Sequence, residues 1–167
     1  ERRYKHTSFY TVGSNGGLLS TEAIKNQPVR SILSGPAAGV AATIHLAKEI
    51  NLENIITLDV GGTSSDVALI ANSTFPLKRE TIFEGMIIKL PQLDIHTVGA
   101  GGGSIASLDD GGGLQVGPES AGAVPGPAAY GRGGSLPTVT DANVVLERLG
   151  ANQQMGGSLY IDYEKAI

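Results

Sequence analysis

Two stretches of this 167-residue sequence combine residue types and spacings that can do chemistry. The first is Asn54 to Ile70, NIITLDVGGTSSDVALI. An apolar run from Ile55 to Val60 contains Asp59 and meets Gly61-Gly62, and a second apolar run, Val67 to Ile70, follows a short polar turn. Short β-branched runs on either side of Gly-Gly predict a β-hairpin. The turn Gly61-Gly62-Thr63-Ser64 has no bulky side chain, so its N–H groups can approach an anion and its two hydroxyls can add donors. Asp59 would repel a bare phosphate, and its placement makes sense if Mg²⁺ or the ion's water shell lies between the two. An ordinary Gly-Gly turn accounts for the same tetrapeptide, because short turn motifs recur by chance.

The second stretch is Pro91 to Ser104, PQLDIHTVGAGGGS. Asp94 and His96 alternate at strand spacing, which predicts both side chains on one face, where a carboxylate and an imidazole can share a divalent metal. A hydrogen-bonded structural pair satisfies the same spacing, since two ligands seldom make a metal site alone. Gly101, Gly102 and Gly103 offer a run of unhindered N–H groups suited to a phosphate or an adenosine. A turn passing close to another strand explains three glycines equally well. Asp109-Asp110 before Gly111 is ordinary turn chemistry between strands around Ile105 and Val116.

These groups need elements to hold them. Gly35-Pro36 opens a predicted helix on which Ala37, Val40, Ala41, Ile44 and Ala47 repeat at helical spacing, a face of small residues suited to a neighbouring layer. Ahead of it, His6 to Val12 predicts a strand, residues 13–17 a loop, and Ser20 or Thr21 a short helix ending before Pro28. After the hairpin, Thr74 to Ile82 and Met86 to Leu90 predict strands. Thr140 and Asp141 begin a helix carrying Val145, Leu146 and Leu149, which Gly150 ends. Of 24 glycines, 13 fall between Gly99 and Gly134. The aperiodic part of that region, Gly117 to Gly134, predicts a lid, a binding surface or a subunit contact, and a loop left mobile by truncation accounts for it equally well.

Composition narrows the function classes. With 41% hydrophobic and 17% charged residues the chain can bury a core. No apolar run approaches membrane-spanning length. A net charge of -4, with basic residues grouped only among Glu1 to Lys5, argues against a nucleic-acid partner. Zero cysteine fits a reducing, cytoplasmic setting.

Six blocks in order, SNGGLLS, LSGPAAGVAAT, LDVGGTSSDVALI, LDIHTVGAGGGSIA, VGPESAGAVPGPAAYGRGG and PTVTDANVVLERLG, make the chain resemble the A-type subunit of the hydantoinase/oxoprolinase family. The hairpin alone is similar to the phosphate-binding element of the actin, sugar kinase and heat-shock chaperone superfamily. The resemblance implies an α/β fold of two RNase H-like halves about a nucleotide cleft, with ATP and Mg²⁺ as cofactors. It implies ATP-dependent opening of a cyclic amide such as 5-oxoproline or a hydantoin, alongside a B-type subunit or domain. Related subunits serve acetone carboxylases, and a nucleotide-driven switch is the non-enzymatic alternative. Asp59 and Asp66 then stand as catalytic carboxylates, with Gly61, Gly62, Thr63, Ser64, Gly101, Gly102 and Gly103 toward the nucleotide and Asp59, Asp94 and His96 toward metal.

Family members carry an earlier D-x-G-G-T hairpin, and nothing before Asp59 matches it. The expected organisation is therefore the tail of a first half at 1–33, a connecting helix at 34–53, the start of a second half at 54–150 and a cut end at 151–167. On that reading this chain alone is inactive, and it holds Mg-ATP at about millimolar affinity.

Overall fold

The computed structural model describes residues 7–83, 85–150, 154–155, 157 and 159–167. The basic residues among Glu1 to Lys5, the start of the strand at His6 and the Glu84 half of the turn at Glu84-Gly85 lie outside them, as does part of 151–167. The architecture is a mixed α/β arrangement. In chain order it runs through β1 (Tyr10–Val12), β2 (Leu18–Ser20), α1 (Thr21–Asn26), α2 (Ser34–Glu49), β3 (Ile55–Val60) and β4 (Ser65–Ile70). Then follow β5 (Leu77–Lys78), β6 (Thr81–Phe83), β7 (Met86–Ile88), β8 (Gln92–Leu93), β9 (Ile95–Val98), β10 (Ser104–Leu108), β11 (Leu114–Ser120), α3 (Val139–Val145) and α4 (Tyr163–Ala166).

Two compact units share these elements. The first comprises residues 1–59 and 67–96, the second residues 60–66 and 97–167. The units interleave along the chain. The chain passes between them inside β3, β4 and β9, which form one three-stranded sheet in the order β3-β4-β9.

In the first unit the core gathers Ala37, Val40, Ala68, Ile70, Leu93 and Ile95, with Ile44 and Ile55 packed against it. The α2 face is the one its spacing predicts, although Pro36 is the third helical residue rather than the first. Ser14, buried, ties the loop before β2 to that helix. Its N–H and Oγ both donate to the Arg30 carbonyl, Oγ accepts from the Leu33 N–H at 3.2 Å, and its own carbonyl accepts from the Leu93 N–H. Ser20 caps α1 by accepting from the Ala23 N–H, and the helix stops before Pro28.

The predicted strand from Thr74 to Ile82 is interrupted. Asn72 and Ser73 take positive φ values in a tight turn that pairs Ala71 with Thr74, and Pro76 lacks an N–H for a ladder, so pairing begins only at Leu77. The Met86 strand likewise ends at Ile88 rather than Leu90.

In the second unit β10 and β11 pair antiparallel across the turn at Asp109. A small core of Ala129, Val144 and Ile161 lies between α3, α4 and a 3-10 turn at Ala128–Tyr130. The third helix starts earlier than its sequence suggests, because Thr138 rather than Thr140 is the cap. The Thr138 hydroxyl accepts from the Asp141 N–H, and the Asp141 carboxylate accepts from the Thr138 N–H, a reciprocal capping box. The helix also ends earlier, at Val145, and Glu147 beyond it adopts φ 57°, which a right-handed helix does not allow.

Candidate functional site

The second unit contains the turn and the triple-glycine loop, each made by local chain chemistry. Between β3 and β4, Gly61 donates its N–H to the Ser64 carbonyl at 2.8 Å, which closes the turn. Its carbonyl accepts from the Gly102 N–H at 2.9 Å, and the Gly62 carbonyl accepts from the Gly103 N–H at 2.6 Å. The turn is thus clamped by two backbone bonds from the loop.

Every backbone group of Gly101 to Gly103 is committed to protein. The Gly101 N–H donates to Ser104 Oγ at 2.8 Å, and the loop carbonyls accept from Ser104, Thr140 and Ala121 N–H groups. The absence of side chains follows from space. A Cβ on Gly101 would lie 2.7 Å from the Gly61 carbonyl oxygen, and one on Gly103 would lie 2.9 Å from the Gly62 carbonyl oxygen. A Cβ on Gly102 would lie 2.8 Å from Thr140 Oγ1. Of the two sequence readings, close approach is the one this geometry accounts for, and no N–H of the three is left to meet an anion.

The turn is different. Within its unit, among the described residues, the N–H groups of Gly62, Thr63 and Ser64 have no acceptor. A Cβ on Gly62 would meet nothing within 4 Å, and its φ is not in the left-handed region, so neither packing nor backbone geometry asks for glycine there. Beside the turn, Ser65 Oγ donates to the Ala100 carbonyl at 2.5 Å, and Asp66 Oδ1 accepts from Thr97 Oγ1 at 2.6 Å. One Asp66 oxygen is therefore held in place.

The remaining sequence candidates are placed as follows. Asp59 is exposed on β3. Asp94 lies between β8 and β9 and forms an ion pair with Lys78, while His96 is exposed on β9. Among the described residues no group of three or more His, Asp or Glu side chains gathers as a metal cage. Asp141, 3% exposed, accepts from the N–H groups of Ala128, Ala129 and Thr138 and from Thr138 Oγ1. Its carboxylate is spent on fixing the chain after Pro127 and on capping α3.

Asp109 directly follows β10, with Oδ1 accepting from the Gly111 and Gly113 N–H groups and Oδ2 from Gln115 Nε2. Those bonds, with the Gly113 N–H foremost, hold its carboxyl below the usual carboxylate range. Sequence reasoning missed Ser104 and Ser65, whose hydroxyls brace loop and turn. Their only signal is a small polar residue directly after each glycine-rich turn.

The family profile described as hydantoinase/oxoprolinase matches residues 1–167. The chain belongs to this family. Caprolactamase subunit alpha of Pseudomonas jessenii is 45% identical over 154 residues, a match spanning 92% of this chain and 22% of that protein. A 5-oxoprolinase of Saccharomyces cerevisiae is 49% identical over 138 residues, spanning 81% of this chain and 10% of that protein. Among solved structures, nucleotide-free acetone carboxylase superposes with a TM-score of 0.80 at 30% identity, over 99% of this chain and 23% of that one. The chain thus spans between a tenth and a quarter of the length of the relatives it matches. No helix among the described residues is long and apolar enough to cross a membrane.

Proposed function

We propose that this chain supplies part of the nucleotide site of an ATP-dependent enzyme that opens a cyclic amide, and that the turn Gly61 to Ser64 grips the phosphates. The observation that carries this reading is Gly62, a glycine with open space over it beside three N–H groups without an acceptor in their unit. Such a turn is a ready cradle for an oxyanion. The names of the relatives, a caprolactamase and a 5-oxoprolinase, supply the substrate class.

The donor set fits Mg²⁺ of one particular kind. One exposed carboxylate, Asp59, stands two residues before the turn in sequence, and among the described residues no three-ligand cage accompanies it. Mg²⁺ is ordinarily held by one or two carboxylates, water and the phosphates themselves, so a single Asp suffices where a protein-only site would not. The ion would neutralise charge building on the transferred phosphoryl group. Asp94 and His96 are the second proposed position for a divalent ion, one in which Lys78 competes for Asp94.

On this reading the amide oxygen of the ring attacks the γ-phosphorus and ADP leaves. The ring carbon bearing the phosphorylated oxygen would then accept water, the C–N bond would break with a proton passing to the nitrogen to leave an acyl phosphate, and a second water would release phosphate and the carboxylate. The turn N–H groups and the hydroxyls of Thr63 and Ser64 orient the phosphates, and Asp66, fixed by Thr97, provides the second carboxylate. The proposed frame is RNase H-like, completed by the rest of a longer cytoplasmic protein and a B-type subunit or domain. The likeness to acetone carboxylase favours a second reading, a carboxylase subunit using the same nucleotide site.

The test is ATP hydrolysis by the intact protein with its partner subunit, assayed against 5-oxoproline, hydantoins, caprolactam and acetone. Hydrolysis that requires a cyclic amide, and that Asp59→Ala abolishes with an unchanged circular dichroism spectrum, is the expected result. An unaltered rate in that variant removes Asp59 from the mechanism, and dependence on acetone alone selects the carboxylase reading.

A further inference from the structure

Outside the strand ladders, four hydrogen bonds among the described residues join 61–66 to 97–103, all within the second unit. Thr97 Oγ1 donates to Asp66 Oδ1 at 2.6 Å, and Ser65 Oγ donates to the Ala100 carbonyl at 2.5 Å. The other two are the Gly102 and Gly103 N–H groups on the Gly61 and Gly62 carbonyls. Three of the four end on a backbone carbonyl and fix the path of the chain. The Thr97 bond alone ends on a side chain that can do chemistry. Packing does not account for it, because Thr97 is exposed and Asp66 half-buried, so neither needs a protein partner to offset burial. As an exposed polar pair across the neighbouring strands β4 and β9 it adds little stability. Its length is nonetheless that of a strong contact, a hydroxyl on a carboxylate shortened by charge.

We infer that Thr97 is a positioning residue, whose hydroxyl takes one oxygen of Asp66 and so fixes which carboxylate oxygen, at what angle, serves the reaction at the turn. An unrestrained Asp side chain rotates about two bonds, and a reacting group gains from being held before substrate arrives, since no reorganisation is then needed in the transition state. Threonine suits the task. A β-branched side chain on a strand has few χ1 rotamers, so its hydroxyl is aimed in advance. With Oδ1 taken by Thr97, no described group of the unit donates to Oδ2, and no cation of the unit pairs with the carboxylate. Oδ2 is the oxygen left to accept a hydrogen bond from water or substrate. The inference rests on the nucleotide-site reading above for the role of Asp66, and on the Thr97 bond for the role of Thr97.

The experiment is steady-state ATP hydrolysis by the intact protein with its partner subunit, against the same substrates, for wild type, Thr97→Val, Thr97→Ser, Asp66→Ala and the double variant Thr97→Val/Asp66→Ala. Melting temperature and Mg-ATP affinity by calorimetry accompany each. Thr97→Val should lower kcat about tenfold or more while the KM for ATP and the calorimetric affinity stay within about twofold, because Thr97 acts on Asp66 and not on the nucleotide. Its melting temperature should stay level, and Thr97→Ser should return most of the lost rate. Asp66→Ala should lose more, and adding Thr97→Val to it should change nothing further, since no carboxylate is left to position. A kcat in Thr97→Val within about twofold of wild type overturns the inference. So does a loss that Thr97→Ser fails to restore, or one that persists undiminished on the Asp66→Ala background. The inference and the reading beneath it fail differently. Full turnover in Asp66→Ala removes that carboxylate from the proposed function, and Thr97 with it. Lost turnover in Asp66→Ala with full turnover in Thr97→Val keeps the function and removes Thr97 alone. Dependence on acetone alone rejects the cyclic amide, and the Thr97 comparison is then read on that substrate. A wild type without ATP turnover on any of these substrates overturns both.

Discussion

The glycines of the turn and the glycines of the loop are one residue type put to opposite uses. At Gly101 and Gly103 the missing side chain is replaced by protein, because the backbone of Gly61 and Gly62 occupies the space a Cβ would need. At Gly62 it is replaced by nothing. The loop glycines have all their N–H groups paired, while the turn leaves three without an acceptor in its unit. A glycine-rich sequence is therefore two statements about space, and only the unfilled one leaves room for a ligand.

That contrast can be broken by substitution. The largest effect is expected at Gly101, where Gly101→Val forces a side chain into the Gly61 carbonyl, and overpacking of this kind costs about 1–3 kcal/mol or more. Thermal denaturation should show a clear fall, and an unchanged melting temperature would mean that the loop does not hold the turn. Ser104→Ala comes next, since Ser104 is fully buried and its loss leaves the Gly101 N–H unpaired at a cost of about 1–3 kcal/mol. Chemical denaturation measures it, with Ser104→Thr as the hydroxyl-retaining control.

Gly62→Ala should do the reverse. Nucleotide affinity is expected to fall about tenfold, or about 1.4 kcal/mol, with stability unaltered. Equal losses of binding and stability there would erase the distinction between the two glycine groups. The smallest effect belongs to Asp109, whose carboxyl titrates below its unfolded value. Its bonds to the β10–β11 turn stabilise the fold above the ordinary carboxylate range, and that contribution fades as pH falls through the lowered pKa. Asp109→Asn should flatten this acid limb of the stability curve slightly, because the group is fully exposed and screened.

Much of this was legible in the residues. The run Ile55 to Val60 coincides with β3, and α1 and α2 lie where capping and apolar spacing put them, because those signals are local. The loop's glycines could be read two ways because the deciding fact is which backbone passes within 3 Å, and that partner lies some forty residues away in sequence. Thr138 was overlooked as a cap because Thr140 two residues later offers the same hydroxyl, and only the reciprocal bond with Asp141 separates them.

The path of the chain through β3, β4 and β9 bears on how this region can be inherited or rebuilt. Residues 60–66 belong to the second unit although residues on both sides of them belong to the first. Neither unit is a contiguous stretch of gene, so a single recombination junction cannot exchange one and spare the other. A graft that moves the second unit between relatives must carry a seven-residue patch at 60–66 together with everything from residue 97 onward. A chimera joined once at residue 97 would pair the Gly61 to Ser64 turn from one parent with a bracing loop from the other. The two must then vary together, and mismatched parents should lose the clamp before they lose either fold.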